Sequence, residues 1–572
     1  MPKTLAIVGA RLNSSRLPNK HLLELAGKPM IEQIWRRLNQ CSELDLIELA
    51  TTADKFNQPL INWATSQNVN CTPFEGNVND LMARLDFIIK KHQPTHIVYI
   101  CGDCPLVDPD FIDHAVKALK HAQYKDSIKL DSAIESIHEG MAFYTLAGWN
   151  KLMRASQCEM SREHVGYADS LSPVLNKLII KDSEDFSIIK HRISVDTQAD
   201  YRFMSEVYHR WFEEEHNEDI VSLLWVTQQL FKDEKLASIN DHVNQKAPER
   251  QYPIVSLYCQ VSSLVGLGHL KRCSLIAESL QERLSVSTEI IILGEASQLP
   301  WLKTKAVWLN EPAQFLTHIE KDLNKLFLID LHPEHFPLEE LKRVCQQKQS
   351  QGTPIVALDK MSALMPYSDL LFIPSFYSEI TGPKVHFGWE NYLLPSISET
   401  EKENIVLILT GGSDALNYGA ELPDLLLPAL LPDWRYIWVQ GPMSAPPNLA
   451  EDARIECLKN PMNLPELIAK AKIVITCYGL SLFESLAQGA AVILLPTKHL
   501  CSENELKELD HQRVCEIVET IDDIGTLLLQ VQNNPQHYSK LIEKSRSLFT
   551  DKSGLTILAE HVGTLLNKNS KR

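Results

Sequence analysis

The chain has 572 residues, more than one hydrophobic core can hold, so three or four compact units are expected. Hydrophobic residues make up 44% and charged residues 23%, with 22 Gly and 30 Pro, which excludes disordered and fibrous classes. A net charge of −17 repels phosphate backbones and anionic lipid, so neither nucleic acid nor membrane is expected as a partner.

No apolar run approaches the roughly 18 residues of a membrane span, and the opening MPKTLAIVGAR meets Arg11 too early for a signal peptide. A cytoplasmic location is expected. Twelve cysteines without repeated spacing fit reduced thiols better than a disulfide framework. The one C-x-x-C, Cys101 to Cys104, has no second pair at zinc spacing.

In chain order, short apolar runs ending in Gly, Asp or Pro alternate with helical stretches: LAIVGA, LIELATT, HIVYICGD, then PIVSLYC, EIIILG, LFLIDL, PIVALD, IVLILTGG, YIWVQG, KIVITCYG and AVILLP. Runs apolar on both faces belong to buried parallel strands, so the fold class is α/β built from βαβ units. Residues 236–253, LASINDHVNQKAPERQYP, are polar, without helical periodicity, and read as a linker. The boundaries expected are one Rossmann-like domain over 1–235, then two Rossmann-like halves, 254–395 and 396–572, the latter binding nucleotide.

The loop after the first strand, ARLNSSRLPNK, carries Arg11, Ser14, Ser15, Arg16 and Lys20, enough cations and donors to hold a polyphosphate. Asp103 ends the strand HIVYIC, and Asp196 stands in SVDT. Two such carboxylates are what a hard divalent ion needs beside a triphosphate, although a lone Asp after a strand is usually a turn or cap residue.

The pattern A-R-x-x-S-x-R-L-P-x-K resembles the cytidylyltransferases that activate acidic sugars such as sialic acids and 3-deoxy-octulosonate. The likeness continues through ATTAD (50–54), EGNVNDLMAR (75–84), CGDCPLVDP (101–109), SREHVG (161–166) and SVDTQADY (194–201). The second and fourth of these are similar to the spore-coat-polysaccharide branch. The resemblance implies CTP with its phosphates on Arg11 and Lys20 and with Ala10, Ser14 and Thr51 along the nucleotide. It also implies Mg2+ on Asp103 and Asp196, and Arg162 and His164 near the acidic sugar, a pair that reads equally as a helix-start ion cluster.

After the linker, SSLVGLGHLKRC leads into an amphipathic helix with Leu270, Cys273, Ile276, Ala277 and Leu280 on one side. His269 sits on its first turn, placed to accept a proton; a solvated histidine after a tight turn is the plainer reading. ILTGGSDALN offers backbone N–H groups of Gly412 and Ser413 to a phosphate. Ser481 and Glu484 have capping-box spacing, while Glu484 could instead hold a ribose. The ordered set GxGHxxRC, GGSDxxN and GxSxxE resembles the two-Rossmann-domain GT-B architecture. Within that architecture it resembles the UDP-2,4-diacetamido-2,4,6-trideoxy-β-L-altropyranose hydrolase of pseudaminic acid synthesis and its spore-coat relatives. That likeness implies a UDP-amino-sugar substrate, His269 as general base, Glu484 on the ribose and Gly412 with Ser413 on the diphosphate. One departure stands out: Tyr258 and Gln260 occupy the places of the family's Arg and Asp before the glycine loop.

Together these point to a bifunctional nucleotide-sugar enzyme of nonulosonic acid synthesis: cytidylyl transfer to an acidic sugar plus hydrolysis of a UDP-amino-sugar. A second half that is a GT-B glycosyltransferase, or a noncatalytic UDP-sugar-binding regulator, is the alternative. The sequence leaves the sugars and any homo-oligomer open.

Overall fold

The computed structural model describes residues 3–569 apart from 15, 132–135, 188, 215–218, 245–251, 263, 298, 300, 303, 395–399, 451–453, 462, 498–499 and 550–552. Ser15 and the centre of the expected linker therefore lie outside the described residues. The chain divides into two compact units, Met1–Tyr252 and Pro253–Arg572.

The first unit is built on a seven-stranded sheet in the order Cys71–Phe74, Leu46–Thr52, Thr4–Gly9, His96–Cys101, Met141–Thr145, Ser127–Leu130, Lys177–Ile180. The first four strands are parallel, and Leu5, Ala6, Ile7 and Val8 of the central strand are all fully buried, as strands covered by helices on both faces must be. Met141–Thr145 runs antiparallel to both of its neighbours. Strand order reverses between Thr4–Gly9 and His96–Cys101, so the crossovers depart to opposite sides and leave a crevice beyond the strands' carboxyl ends. At that point Gly102 N–H donates to Gly9 O at 2.9 Å, and a Cβ on Gly102 would lie 2.7 Å from that same oxygen. Only glycine lets the two strand ends come this close.

The second unit holds two wholly parallel sheets. One runs Ala306–Leu309, Ser287–Leu293, Ile254–Gln260, Leu326–Asp330, Ile355–Leu358, Leu370–Phe372, Val385–His386. The other runs Ile455–Lys459, Arg435–Gln440, Glu403–Leu409, Ala471–Thr476, Ala491–Leu494, Glu516–Ile517. Both contain the 3-2-1-4-5-6 order of doubly wound nucleotide-binding sheets, the first with Val385–His386 added as a seventh strand, and each has its own switch point. The fold is α/β throughout, with two Rossmann-type halves in the second unit.

Two boundaries differ from the expected ones. Asp233 caps a helix over Glu234–Ser238, with Leu236 fully buried and Asn240 at 1% exposure. The polar text at the start of the expected linker is thus folded onto the first unit, held by one apolar anchor and one buried amide. The closing helix Gly554–Asn569 packs Leu558, Ala559 and Val562 into the same core as Leu270, Cys273 and Ile276. It follows the 396–572 half in sequence but completes the other half's core. Among the described residues no helix is long and apolar enough to cross a membrane.

Candidate functional sites

In the first unit the site forms at the switch point. Asn19 adopts a left-handed conformation before the short turn Lys20–Leu22, and its N–H donates to Leu12 O at 3.0 Å, which closes the opening loop back on itself. Leu12 N–H in turn donates to the Asn57 side chain at 2.7 Å. Lys20 is thereby turned inward, and its Nζ meets Asp103 Oδ2 at 2.7 Å and Asp196 Oδ1 at 2.8 Å. Asp196 Oδ2 accepts from Arg192 at 2.5 Å and from Arg16 at 3.0 Å.

Asp196 is held by local chemistry. Immediately after it, Thr197 and Asp200 form a reciprocal capping box at the start of helix Gln198–His209, and the buried Asp200 carboxylate also accepts the Asp196 N–H at 3.1 Å. Arg192 and Asn240 both bind the other oxygen of Asp200 at 3.0 Å. SVDTQAD is thus a helix start whose cap fixes the carboxylate in front of it.

Burial alone would push the Lys20 ammonium down, but Asp103 and Asp196 outweigh it and hold its pKa above the ordinary lysine value. Burial would likewise raise Asp196, yet Lys20, Arg16 and Arg192 keep it well below the carboxylate range. Burial, then the neighbouring Lys20, pushes His21 down to about 4, while its Nδ1 faces Gly102 O at 2.7 Å.

The two carboxylates fit a hard cation, since both reach within 2.8 Å of one nitrogen and such ions take one or two protein carboxylates plus substrate oxygens. Asp103 keeps the larger share of that capacity. The contact of its Oδ1 among the described residues is the weakly donating Cys104 thiol at 3.5 Å, whereas both Asp196 oxygens already face cations.

The remaining expected residues divide. Ala10 is buried and its N–H donates to Ala50 O at 3.1 Å; Ser14 Oγ accepts from Leu17 N–H at 3.3 Å. Arg11 donates to Asn79 Oδ1 at 2.7 Å and pairs with Glu163 at 3.0 Å, which ties the opening loop to both EGNVND and SREH. Arg162 is spent on Asp80, at 3.0 and 2.7 Å through Nε and a terminal nitrogen, and Asp80 also caps helix Leu81–His92. The ion-cluster reading of Arg162 has direct geometric support. His164 is the C-terminal cap residue of the short helix Glu159–Glu163. Thr51 is fully buried, and its hydroxyl has no partner among the described residues. Arg192, Asp200 and Asp80 lie outside the expected set; the capping-box spacing T-Q-A-D is the signal for Asp200, and Asp80 stands within EGNVNDLMAR.

In the second unit, helix Gly268–Leu284 starts at the switch point of its sheet. The expected apolar side is buried, with Leu270, Cys273, Ile276, Ala277 and Leu280 at 1% exposure or less. His269 Nδ1 lies 2.7 Å from Asp330 Oδ1, a fully buried carboxylate that ends strand Leu326–Asp330. Arg272, one helical turn on, grips Asp330 through Nε at 2.7 Å and a terminal nitrogen at 2.6 Å, and reaches Asp359 at 2.8 Å. Burial opposes the Asp330 charge, but Arg272 and His269 outweigh it and keep this carboxyl far below its ordinary value.

The carboxylate that meets His269 thus comes from the strand paired with Ile254–Gln260. Tyr258 is buried and donates to Asp322 at 2.6 Å, so it serves the sheet's interior. Gln260 donates to His335 O at 3.1 Å. LFLIDLH, an apolar strand ending in Asp, was the signal for Asp330, and the KR after GH the signal for Arg272.

Across the unit, Lys271 Nζ pairs with Glu484 Oε1 at 3.0 Å, bringing helix Leu480–Ala487 opposite the His269 helix. Glu484 is buried at 4% exposure and does not form the capping box its spacing suggests: the helix is capped by Gly479 without a side-chain bond. A cap needs its side chain outside the first turn, and Ser481 already lies inside the helix. Gly411 takes φ +92°, and a Cβ on it or on Gly412 would meet open space. Asp414 accepts from Tyr418 and Gly419 N–H at 3.0 and 2.7 Å, folding the turn that carries Gly412 and Ser413. The fold thus sets Gly412 and Ser413 at the second sheet's switch point.

Residues 5–245 match the family model described as cytidylyltransferase. An uncharacterized protein of Methanocaldococcus jannaschii is 27% identical over 249 residues, 43% of this chain and 97% of that protein. The 3-deoxy-manno-octulosonate cytidylyltransferase 2 of Hydrogenovibrio crunogenus is 30% identical over 131 residues, 23% of this chain and 52% of that protein. The spore coat polysaccharide biosynthesis protein SpsF of Bacillus subtilis is 23% identical over 215 residues, 37% of this chain and 88% of that protein. The chain spans about half the length of the octulosonate enzyme it matches.

Among solved structures, a cytidylyltransferase from Leptospira borgpetersenii shares 22% identity over 43% of this chain and 99% of that one, with a TM-score of 0.37. The calicheamicin glycosyltransferase shares 10% over 56% of this chain and 99% of that one, TM-score 0.42. The UDP-GlcNAc 2-epimerase from Neisseria meningitidis bound to UDP-GlcNAc shares 15% over 55% of this chain and 99% of that one, TM-score 0.38. An N-terminal cytidylyltransferase domain is present, as the opening motifs imply.

Proposed function

We propose that the chain joins two nucleotide-sugar activities. The first unit transfers a cytidylyl group from CTP to an acidic sugar of the octulosonate or nonulosonate class, releasing pyrophosphate. The observation that carries this reading is the Lys20 ammonium set between Asp103 and Asp196 at a sheet switch point, with Arg11 and Arg16 on the same loop. When bound, a divalent ion such as Mg2+ on Asp103 and Asp196 would neutralise charge on the triphosphate. Lys20 and Arg16 then turn from their carboxylates toward phosphate oxygens, and Arg11 orients the outer phosphates as a planar fork. The sugar's anomeric hydroxyl attacks the α-phosphorus as the bond to pyrophosphate breaks. Magnesium-dependent pyrophosphate release from CTP with a panel of keto-acid sugars tests this.

The second unit binds a UDP-amino-sugar and hydrolyses it. Asp330 fixes the His269 ring by its Nδ1 side, which leaves Nε2 to take a proton from water as the oxygen attacks the anomeric carbon and the bonding pair leaves on UDP. Glu484 holds the ribose and the turn at Gly412 and Ser413 takes the diphosphate through backbone N–H groups. The His269–Asp330 pair favours this reading over a noncatalytic sensor. UDP release from UDP-sugars without an acceptor tests it, and release that needs an acceptor hydroxyl would make the unit a glycosyltransferase.

A further inference from the structure

The strand that delivers Asp330 continues into His332-Pro333-Glu334-His335, a segment the two proposed activities do not use. Pro333–His335 forms a single tight turn, with the rings of His332 and His335 4.8 Å apart and inclined by 32°. One ligand atom from each of His332, Glu334 and His335 lies within 4.8 Å of the others, and among the described residues this is the one group of three or more such side chains so gathered. His332 Nδ1 is buried and has no hydrogen-bond partner among the described residues. Buried polar atoms are nearly always satisfied, so an idle imidazole nitrogen in such a group calls for a partner.

We propose that His332, Glu334 and His335 bind a divalent transition-metal ion of the zinc class. Two imidazoles and a carboxylate are the donor set of open, three-ligand sites, and imidazole selects such metals over Mg2+. The bonds required are about 2.0–2.2 Å, so the ligand atoms must draw in from their present separation. Glu334 and His335 are exposed and free to do so by rotation, while Pro333 holds the backbone. The turn is anchored where it is: Gln260 donates to His335 O at 3.1 Å, and His332 stands two residues beyond the Asp330 that binds His269. A divalent ion there keeps a net positive charge after one carboxylate, with remaining positions for water or phosphate oxygen at the carboxyl edge of the sheet.

The test is titration of the full chain with Co2+ and with Zn2+ in excess Mg2+, which occupies any hard-cation site. One Co2+ per chain is expected, with a visible spectrum of nitrogen and oxygen ligation and no thiolate charge-transfer band. His332→Ala and His335→Ala should each weaken binding at least tenfold and Glu334→Gln several-fold, with thermal unfolding unchanged. No binding, a thiolate spectrum, or affinity indifferent to both histidine variants would overturn the proposal. Because binding is read without CTP or UDP-sugar, its failure leaves the proposed activities untouched, and theirs leaves it untouched.

Discussion

The two units arrange their buried charges in opposite ways. Around Asp103 and Asp196 the first unit gathers Lys20, Arg16 and Arg192, and the proposed reaction asks the first two of these cations to leave their carboxylates for phosphate. In the second unit Asp330 is fully buried and clamped by Arg272 and His269, a set whose members already satisfy each other. The first arrangement suits binding and releasing charge, the second holding one imidazole still. Switch-point geometry is common to both, so the chemistry is decided by which side chains the sequence places at the strand ends.

That contrast can be broken by substitution. Asp103→Asn should have the largest effect, lowering magnesium-dependent pyrophosphate release by roughly 10^3, since a metal ligand contributes several kcal/mol to the transition state; near wild-type turnover would remove the assigned site. His269→Ala should reduce UDP release by roughly 10^2 to 10^4 while leaving the fold intact. Asp330→Asn should do the same and also destabilise the second unit by about 3–5 kcal/mol, because Arg272 loses its buried partner. A variant with lost activity and unchanged melting would sever the proposed positioning role from the ion cluster.

A smaller effect should appear in the acid limb of the first unit. His21 falls from the ordinary histidine value to about 4 in the fold, so the unfolded chain binds the extra proton first. The stability this contributes is fully present above about pH 6.5 and is lost as pH falls through about 4, up to roughly 3 kcal/mol. Denaturant unfolding across that window should show the loss, and His21→Gln should flatten it. Smallest of all, Arg11→Ala should raise the KM for CTP about tenfold with little change in melting, because the Arg11–Glu163 pair is about a third exposed and such pairs contribute under about 1 kcal/mol.

The eleven apolar runs are all strands, since a stretch apolar on both faces has few other places to go. The edge strands were not legible: Ile455–Lys459 is largely exposed and carries no such run. The antiparallel insertion of Met141–Thr145 was also silent, because direction is set by connections and not by composition. Lys20, Asp103 and Asp196 could be gathered from their motifs, but Asp200 acts through a capping box that reads locally as mere helix punctuation, and Arg192 bridges it to Asp196. The carboxylate beside His269 stands at Asp330, sixty-one residues on in sequence, a distance that only the strand pairing of Ile254–Gln260 with Leu326–Asp330 closes.

The most direct test of two independent centres in one chain is a paired assay on Asp103→Asn and His269→Ala, following pyrophosphate from CTP and UDP from a UDP-amino-sugar in the same full-length protein. Asp103→Asn should lose only the first product and His269→Ala only the second. If one substitution removes both products, or neither removes its own, two separate catalytic centres do not exist as assigned.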